Sequence, residues 1–386
     1  MIILSWCEGG VLRRKLSDLR HHLAHGTMDD SDAQEREHFL RIVEAFKSYR
    51  SHAHKRIKER ETYLKSLPSH HREMLDSYRK HLDQQRTCIA HNAEILKLII
   101  KDVENIFENV QHQVADKENE EVKSTLESDI EKVKSTIRQI VRDWSPEGAK
   151  EREQCYGPII NQITSLYPPN KVDVQNIHIL VPGAGLGRLA HELARRGYSC
   201  QGNEFSLFML FASNFVLNKC RGTNLFRVYP WVHSGSNHLT NADQLKVATF
   251  PDSDPSELPA HSDLTIAAGD FLEIYQEPDA WDCIATCFFI DCANNVVAFI
   301  ETIYKILKPG GYWVNLGPLL YHFEEQHDEP SIEPSYEVIK QIVVGCGFEI
   351  TVEKIGVPTA YTQNPNSMMQ YKYISNFLVA KKPYAQ

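Results

Sequence analysis

A glycine-rich segment followed by an acidic residue is the part of this chain best suited to hold a small ligand. Residues 177–181 form a largely apolar, β-branched run, which predicts a buried parallel strand, and the sequence GAGLG follows at residues 183–187. Glycines at such a turn let a ligand lie against bare backbone, beside the N–H groups of a helix start. Glu204 comes about 20 residues later at the end of a second strand-like segment, where its carboxylate can bind both hydroxyls of a ribose. The pattern predicts a nucleoside-binding βαβ unit.

The spacing of the glycines bears on which nucleoside binds. The dinucleotide fingerprint is G-x-G-x-x-G, whereas this chain has G-x-G-x-G and carries Arg188 at the place of the third dinucleotide glycine. The shorter form is typical of S-adenosylmethionine (SAM) sites. A plain structural turn stays open as an alternative. So does a nicotinamide-dependent dehydrogenase, because Tyr336 and Lys340 match the Y-x-x-x-K pair of short-chain dehydrogenases, although we interpret them as an ordinary helix pair.

Two further acidic residues, Asp270 and Asp291, follow the third and fourth predicted strands. Ligands of doubly wound sheets lie beyond the carboxyl ends of the strands, so we expect both acids near Gly183 and Glu204. Asp270 with Phe271 would bind the amino group of an adenine and stack on its ring. Asp291 stands where a transferred group would meet its acceptor. Alternatively, Asp291 only caps the helix that follows it, since aspartate is a preferred N-cap.

The segments that position these residues divide the chain into a helical part and an α/β part. Charged, helix-favouring sequence with apolar residues at three- and four-residue spacing predicts three helices before the α/β part begins. A long stretch within the α/β part has no strand or helix pattern, and loops of this length are usually functional or disordered. The predicted segments are a loosely structured 1–32, a helical domain 33–150 with helices near 33–67, 70–110 and 122–142, and a domain 151–386 with an insert at 229–262.

Composition excludes several classes of protein. The 386 residues are 42% hydrophobic, enough for a large core, and the formal net charge of −9 argues against a general nucleic-acid binder. No apolar run of 18 residues occurs, so we expect no transmembrane helix and no membrane partner. The nine cysteines are odd in number and form no C-x-x-C pair, which favours reduced thiols in a cytoplasmic or nuclear protein. We predict no metal site.

Longer strings carry a closer resemblance. The set GAGLG, GNE, AGDF, FFID and LKPGG with a terminal hairpin resembles the class I SAM-dependent methyltransferases. VPGAGLGRLA, CQGNEFSLFMLFASNFVLN, NLGPLLYHFE and QYKYISNFLVAKKP, with RQIVRDWSPEGAKERE ahead of the sheet, resemble the carnosine N-methyltransferase family from about Glu37 to the end. That resemblance implies a doubly wound α/β fold of seven strands, the last one antiparallel, behind an N-terminal α-helical region. It also implies a homodimer and methylation of the imidazole of β-alanyl-histidine (carnosine) to give anserine.

The resemblance assigns residues by position. On the cofactor side, where Arg142 suits the carboxylate of the methionine part, it implies Gln139, Arg142, Gly183, Gly185, Glu204, Asp270, Phe271 and Cys283. On the acceptor side it implies Phe288, Asp291, His322, Tyr371 and Tyr373, of which the two tyrosines would share one face of the last strand. The chain departs from the family at Cys292, which follows Asp291 where the family often has threonine.

These assignments imply a mechanism in which Asp291 chooses the nitrogen that is methylated. If its carboxylate accepts the Nτ–H of a neutral imidazole, the tautomer is fixed and Nπ is left free to attack. Some members of the family methylate histidine side chains of proteins, so histidine-containing proteins stay an alternative acceptor. A SAM-binding adaptor without catalytic activity is the remaining hypothesis.

Overall fold

The computed structural model describes residues 2–5, 30–104, 120–324 and 330–384. Residues 105–110 of the second predicted helix lie outside the described residues, as do residues 111–119 that follow it. Among the helices that are described, none combines the length and the apolar sequence needed to cross a membrane.

The described residues contain ten strands. Eight of them form one sheet, whose centre is the predicted doubly wound sheet. The strands are β1 (Ile2–Ser5), β2 (His178–Pro182), β3 (Ser199–Glu204), β4 (Phe226–Val228), β5 (Ala248–Phe250), β6 (Leu264–Ala268), β7 (Trp281–Cys287), β8 (Leu307–Gly317), β9 (Glu349–Thr359) and β10 (Tyr373–Lys381). The order in the sheet is β1-β6-β3-β2-β7-β8-β10-β9, while β4 and β5 pair separately. Strands β6, β3, β2, β7 and β8 run parallel, and β10 lies antiparallel between β8 and β9.

The seven-stranded class I methyltransferase arrangement with an antiparallel last strand is therefore confirmed. One addition was not predicted: β1 pairs antiparallel with the edge strand β6, Ile2 lying opposite Ala268. Four residues of the segment expected to be loose thus belong to the sheet. Residues 6–29 lie outside the described residues.

The helices flank the sheet on both faces and also build the N-terminal region. They are α1 (Asp30–Ser66), α2 (Ser69–Met74), α3 (Asp76–Glu104), α4 (Glu120–Trp144), α5 (Ala149–Leu166), α6 (Arg188–Ala194), α7 (Leu207–Lys219), α8 (Asn241–Gln244), α9 (Phe271–Ile274), α10 (Val296–Ile306) and α11 (Tyr336–Gly345). The predicted first helix ends as expected before Pro68. The second is divided at Leu75 into α2 and α3.

Helix α4 shows how the helical region joins the rest of the molecule. Its apolar residues recur every three or four positions, which places them on one stripe, and the buried members of that stripe are Ile130, Val133, Ile137, Ile140, Val141 and Trp144. They belong to the same continuous core as Ile179 and Val181 of β2 and Phe211 of α7. The helical region is therefore packed onto the α/β part through a shared core.

The insert at 229–262 is folded, which corrects the expectation of a long irregular loop. β5 pairs with β4, and Thr240 caps α8 by exchanging hydrogen bonds with Asp243. Trp231 and Phe250 of this insert are buried in the interior. Periodicity missed these elements because each is only three or four residues long.

The carboxyl end of α4 is held by two buried arginines. Arg152 Nη1 donates to the carbonyl oxygens of Arg142 and Ser145, both at 2.8 Å, and Arg188 Nη1 donates to that of Asp143 at 2.7 Å. The carboxylate of Asp252, from the insert, bonds both guanidinium groups. Cations at a helix carboxyl end also interact favourably with the helix dipole. We call Arg152, Arg188 and Asp252 the helix clamp.

We expect Asp252→Ala to lower the free energy of unfolding by about 3–5 kcal/mol, because it removes the carboxylate shared by two buried guanidinium groups, of which, among the described residues, only Arg188 keeps a second carboxylate partner, Glu192. The matched control is Glu94→Ala, which removes a 60% exposed partner of Lys97 and should cost below about 1 kcal/mol. Urea unfolding of both variants measures the difference. Equal losses in the two variants would show that the clamp contributes no more than a surface ion pair.

Candidate functional site

The glycine turn after β2 has one open side. Gly183, Gly185 and Gly187 adopt positive φ values of 64°, 55° and 77°, a backbone region that disfavours other residues. A Cβ on Gly183 would lie 2.6 Å from Phe289 Cδ2, so Gly183 is closed in by that ring. Within the described residues, and apart from its chain neighbours, the only heavy atom within 4 Å of a Cβ on Gly185 would be Asp143 Oδ2, at 3.9 Å. The space beside Gly185 can therefore accept a ligand.

Glu204 lies against this turn, as predicted. Its Oε2 accepts the Gly185 N–H at 2.8 Å, and its Oε1 accepts the N–H groups of Phe205 and Ser206 at 2.9 and 2.8 Å. Burial raises the pKa of Glu204, and the three backbone donors act in the opposite direction. A carboxylate held this way has lone pairs left for the hydroxyl groups of a ribose.

Asp270 and Phe271 follow the neighbouring strand β6, but they face different surroundings. Gly269 N donates to Glu204 O at 3.0 Å, which places Asp270 beside the glutamate. Asp270 Oδ1 caps α9 through Leu272 N at 2.7 Å. The Phe271 ring is buried among the rings of the core, including Phe289 at 5.5 Å. The predicted stacking of Phe271 on adenine therefore does not fit its ring position, because that ring is already covered by protein.

Gln139 and Arg142 share one face of α4, as their spacing predicted. Both contact Tyr361: Gln139 Nε2 donates to its hydroxyl, and the Arg142 guanidinium carbon lies 4.6 Å from its ring centroid. Burial raises the pKa of Tyr361 to about 12, so the phenol stays protonated at neutral pH. This tyrosine lies in the connection between β9 and β10 and was not predicted.

The Arg142 side chain is fixed by three neighbours. Its Nη1 donates to Asp143 Oδ1 at 2.9 Å and to the Tyr156 hydroxyl at 2.5 Å, and its guanidinium packs against the rings of Tyr156 and Tyr361. Its Nε is buried, has no hydrogen-bond partner among the described residues, and lies 3.8 Å from Glu151 Oε2. A buried guanidinium with a free N–H group fits a ligand carboxylate.

Asp291 lies in a short 3₁₀ turn, Ile290–Cys292, after β7. It is 3% exposed, and its Oδ2 accepts the Leu320 N–H at 3.0 Å. Burial raises the pKa of Asp291, whereas the Leu320 N–H and the nearby His322 lower it. Asn295, rather than Asp291, caps α10, so the capping hypothesis for Asp291 is wrong.

His322 is brought to Asp291 by the backbone, since its N–H donates to the Asp291 carbonyl oxygen at 3.1 Å. Its Nε2 lies 3.8 Å from Cys292 Sγ. Cys292, which departs from the family pattern, therefore contacts the histidine predicted for the acceptor side. Burial, with the carboxylates of Asp291 and Glu204, raises the pKa of the Cys292 thiol. The thiol is therefore near the acids from both the cofactor and the acceptor side.

Phe288 and two tyrosines form an aromatic wall on the acceptor side. The Phe288 ring lies 5.0 Å from Tyr361 and 5.6 Å from Tyr373 between centroids. Phe288 has a φ of 54°, and such a conformation of a bulky residue costs about 1–3 kcal/mol. Its backbone is held by a hydrogen bond from its N–H to Leu316 O at 2.9 Å. The orientation of the Phe288 ring is therefore maintained at a cost in folding free energy.

Two predicted residues have positions that differ from the expected ones. Tyr371 is 64% exposed and precedes β10, which begins at Tyr373, so the prediction that both tyrosines share a strand is wrong. Cys283 is fully buried near the amino end of β7, opposite Ile179 and away from the strand ends. Cys287 lies at the carboxyl end of that strand instead. The contacts predicted for Tyr371 and Cys283 stay predictions.

The Y-x-x-x-K pair is part of an ordinary helix surface. Lys340 Nζ bonds Glu353 Oε1 at 3.1 Å and lies 5.6 Å from the Tyr336 ring centroid.

No group of three or more histidine, cysteine or acidic residues that could hold a metal ion occurs within the described residues. The site therefore combines a glycine turn, a ribose-type acid and a cation on one side with a buried carboxylate and aromatic rings on the other.

Comparison with known proteins agrees with this arrangement. Residues 119–384 match the family model described as carnosine N-methyltransferase. The chain is 50% identical to carnosine N-methyltransferase from Mus musculus over 93% of this chain and 90% of the relative. It is 46% identical to the Drosophila melanogaster protein over 92% and 81%, and 36% identical to that of Schizosaccharomyces pombe over 91% and 97%. The chain therefore belongs to the carnosine N-methyltransferase family of SAM-dependent enzymes.

Proposed function

We propose that this protein transfers the methyl group of SAM to the imidazole Nπ of carnosine, giving anserine. The observation that carries the proposal is the position of Asp291. A buried carboxylate, one oxygen of which accepts the Leu320 N–H, stands beside His322, on the same strand-end edge as the glycine turn and Glu204. The names of the relatives supply the substrate class.

The residues of the cofactor side fit SAM. Glu204 would bind the ribose, Asp270 the adenine amino group and Arg142 the methionine carboxylate, while the open side of Gly185 leaves room beside the turn. When bound, SAM supplies a methyl carbon made electrophilic by its sulfonium. Gln139 and Tyr361 would keep the Arg142 guanidinium in place.

Asp291 performs two tasks on the acceptor. Its Oδ1 accepts the imidazole Nτ–H, which fixes the tautomer and leaves the Nπ lone pair free. An imidazole with a pKa near about 6.5 is largely neutral at neutral pH, so no general base is needed at the attacking nitrogen. The ring gains positive charge when Nπ is methylated, and the same carboxylate stabilises that charge without moving.

The aromatic wall and the histidine orient the dipeptide. Phe288 and Tyr373 border the face of the imidazole ring, and His322 and the Tyr373 hydroxyl would contact the polar ends of carnosine. Holding the two reactants in line supplies up to about 7–11 kcal/mol in favourable cases. The acceptor side opens to the surface at Leu320, which is 53% exposed beside Asp291. That opening supports histidine side chains of proteins as a second class of acceptor.

We also propose a homodimer in a reducing compartment, the cytoplasm or the nucleus. All eight cysteines in the described part of the chain are free thiols, which supports such a compartment. The homodimer follows from the family resemblance.

Product analysis tests the proposed reaction. The purified protein is incubated with SAM and carnosine, and NMR locates the methyl group on the imidazole. Methylation of Nπ is expected. Methylation of Nτ, or transfer only to a histidine-containing protein offered in parallel, would contradict the assignment of carnosine Nπ as the acceptor.

Asp291→Asn should lower turnover by roughly 10²–10⁴-fold and leave the affinity for S-adenosylhomocysteine (SAH) unchanged. The amide keeps an oxygen for the Leu320 N–H but loses the negative charge that stabilises the methylated ring. Steady-state kinetics and calorimetry on the same preparation provide the two measurements. An Asn variant with wild-type turnover would remove Asp291 from the mechanism.

Glu204→Ala should weaken SAH binding roughly 10- to 100-fold, since it removes a charged acceptor for the ribose hydroxyls. The matched control, Glu277→Ala, lies on the exposed surface and should bind SAH normally. Calorimetric titration compares the two variants. Normal affinity in both would place the ribose elsewhere.

A further inference from the structure

Asp143 is a buried acid at the cofactor side for which the assignments above provide no role. It is 2% exposed and directly follows Arg142 at the end of α4. Its Oδ1 accepts two hydrogen bonds, from Arg142 Nη1 at 2.9 Å and from the Tyr156 hydroxyl at 2.8 Å. None of the described residues donates a hydrogen bond to its Oδ2. This second oxygen therefore has lone pairs available for a positive or hydrogen-bonding ligand group.

The free oxygen faces the glycine turn. Asp143 Oδ2 lies 3.9 Å from the position that a Cβ on Gly185 would take, and no other part of the described structure outside the neighbouring residues comes within 4 Å of it. The Gly185 N–H does not contribute to this open side, because it donates to Glu204 Oε2. Asp143 therefore borders the open space beside Gly185, between the ribose acid and the Arg142 guanidinium.

Arg188 of the helix clamp and the neighbouring Trp144 fix the position of Asp143. Arg188 Nη1 donates to the Asp143 carbonyl oxygen at 2.7 Å, and the indole N–H of Trp144 donates to Leu186 O, within the glycine turn, at 3.1 Å. The backbone of Asp143 is thus tied to the same turn that its side chain faces. The carboxylate is held in place before any ligand binds, which lowers the entropic cost of binding.

Arg142 and Asp143 place opposite charges beside each other at one end of the cofactor side. An α-amino acid carries a carboxylate and an ammonium on one carbon, so the pair matches both charges of the methionine part. We propose that Asp143 Oδ2 binds the α-ammonium of SAM, while Arg142 binds its α-carboxylate. This inference rests on the proposed SAM site and adds a residue that determines specificity for the amino acid end.

Calorimetry with three ligands tests the proposal on the full chain: SAH, its analogue without the α-amino group, and its analogue without the α-carboxylate. In the wild-type protein, loss of the amino group should weaken binding roughly 10- to 100-fold. In Asp143→Asn, SAH itself should bind more weakly, and loss of the amino group should then change affinity by less than about threefold. Loss of the carboxylate should carry the same penalty in both proteins.

Tyr156→Phe is the matched control, because it removes a donor to Oδ1 but keeps the negative charge. It should retain the full penalty for loss of the amino group. The same penalty in Asp143→Asn as in the wild type would overturn the assignment and leave Asp143 only a structural partner of Arg142. If the Asn variant does not fold, equal wild-type affinities for SAH and the analogue without the amino group overturn it equally. A wild-type protein that binds no SAH would instead overturn the proposed function.

Discussion

The position of one helix end governs the cofactor side of this molecule. The last carbonyl groups of α4 are bonded by the buried guanidinium groups of Arg152 and Arg188, which share the carboxylate of Asp252. Removing any of these groups from the helix end would leave buried charges or carbonyl oxygens unpaired, which is costly. The clamp thereby places the side chains of α4 against the glycine turn. This gives the N-terminal helices and the folded insert a direct part in the site.

Tyr361 connects the two halves of the site. Its ring contacts the Arg142 guanidinium on one side and the Phe288 ring on the other, and its hydroxyl accepts from Gln139. The cofactor side and the acceptor side therefore share a wall. A change in the orientation of this ring would be felt by both reactants, which suits a reaction that requires them in line.

Local rules account for much of what the sequence predicted. The glycine turn, Glu204 and Asp291 follow parallel strands, and the carboxyl ends of such strands meet at one edge of the sheet. The assignment of Gln139 and Arg142 came from the family resemblance, and their three-residue spacing is compatible with one helix face. The sheet of seven strands with an antiparallel last strand followed from the family resemblance and is confirmed.

The site residues and strand pairings that were not predicted depend on tertiary contacts, which the spacing of residues in the sequence does not encode. Tyr156 and Tyr361 reach the site from segments that carry no recognisable motif. Asp143, in contrast, could have been found from its position next to Arg142. Tyr371 was misplaced because the strand begins two residues later than predicted. The positions of Cys283 and of the Phe271 ring depend on register and core packing. Pairing of β1 with β6 joins segments more than 250 residues apart in the chain, beyond the reach of any local pattern.

The most direct test of the central claim is a crystal structure of the protein with SAH and carnosine. The account predicts the imidazole Nτ within hydrogen-bond distance of Asp291 Oδ1, about 2.6–3.2 Å, with Nπ directed at the SAH sulfur. An imidazole bound with Nτ directed at the sulfur, or an Asp291 carboxylate bonded to the β-alanyl ammonium instead of the ring, would contradict it.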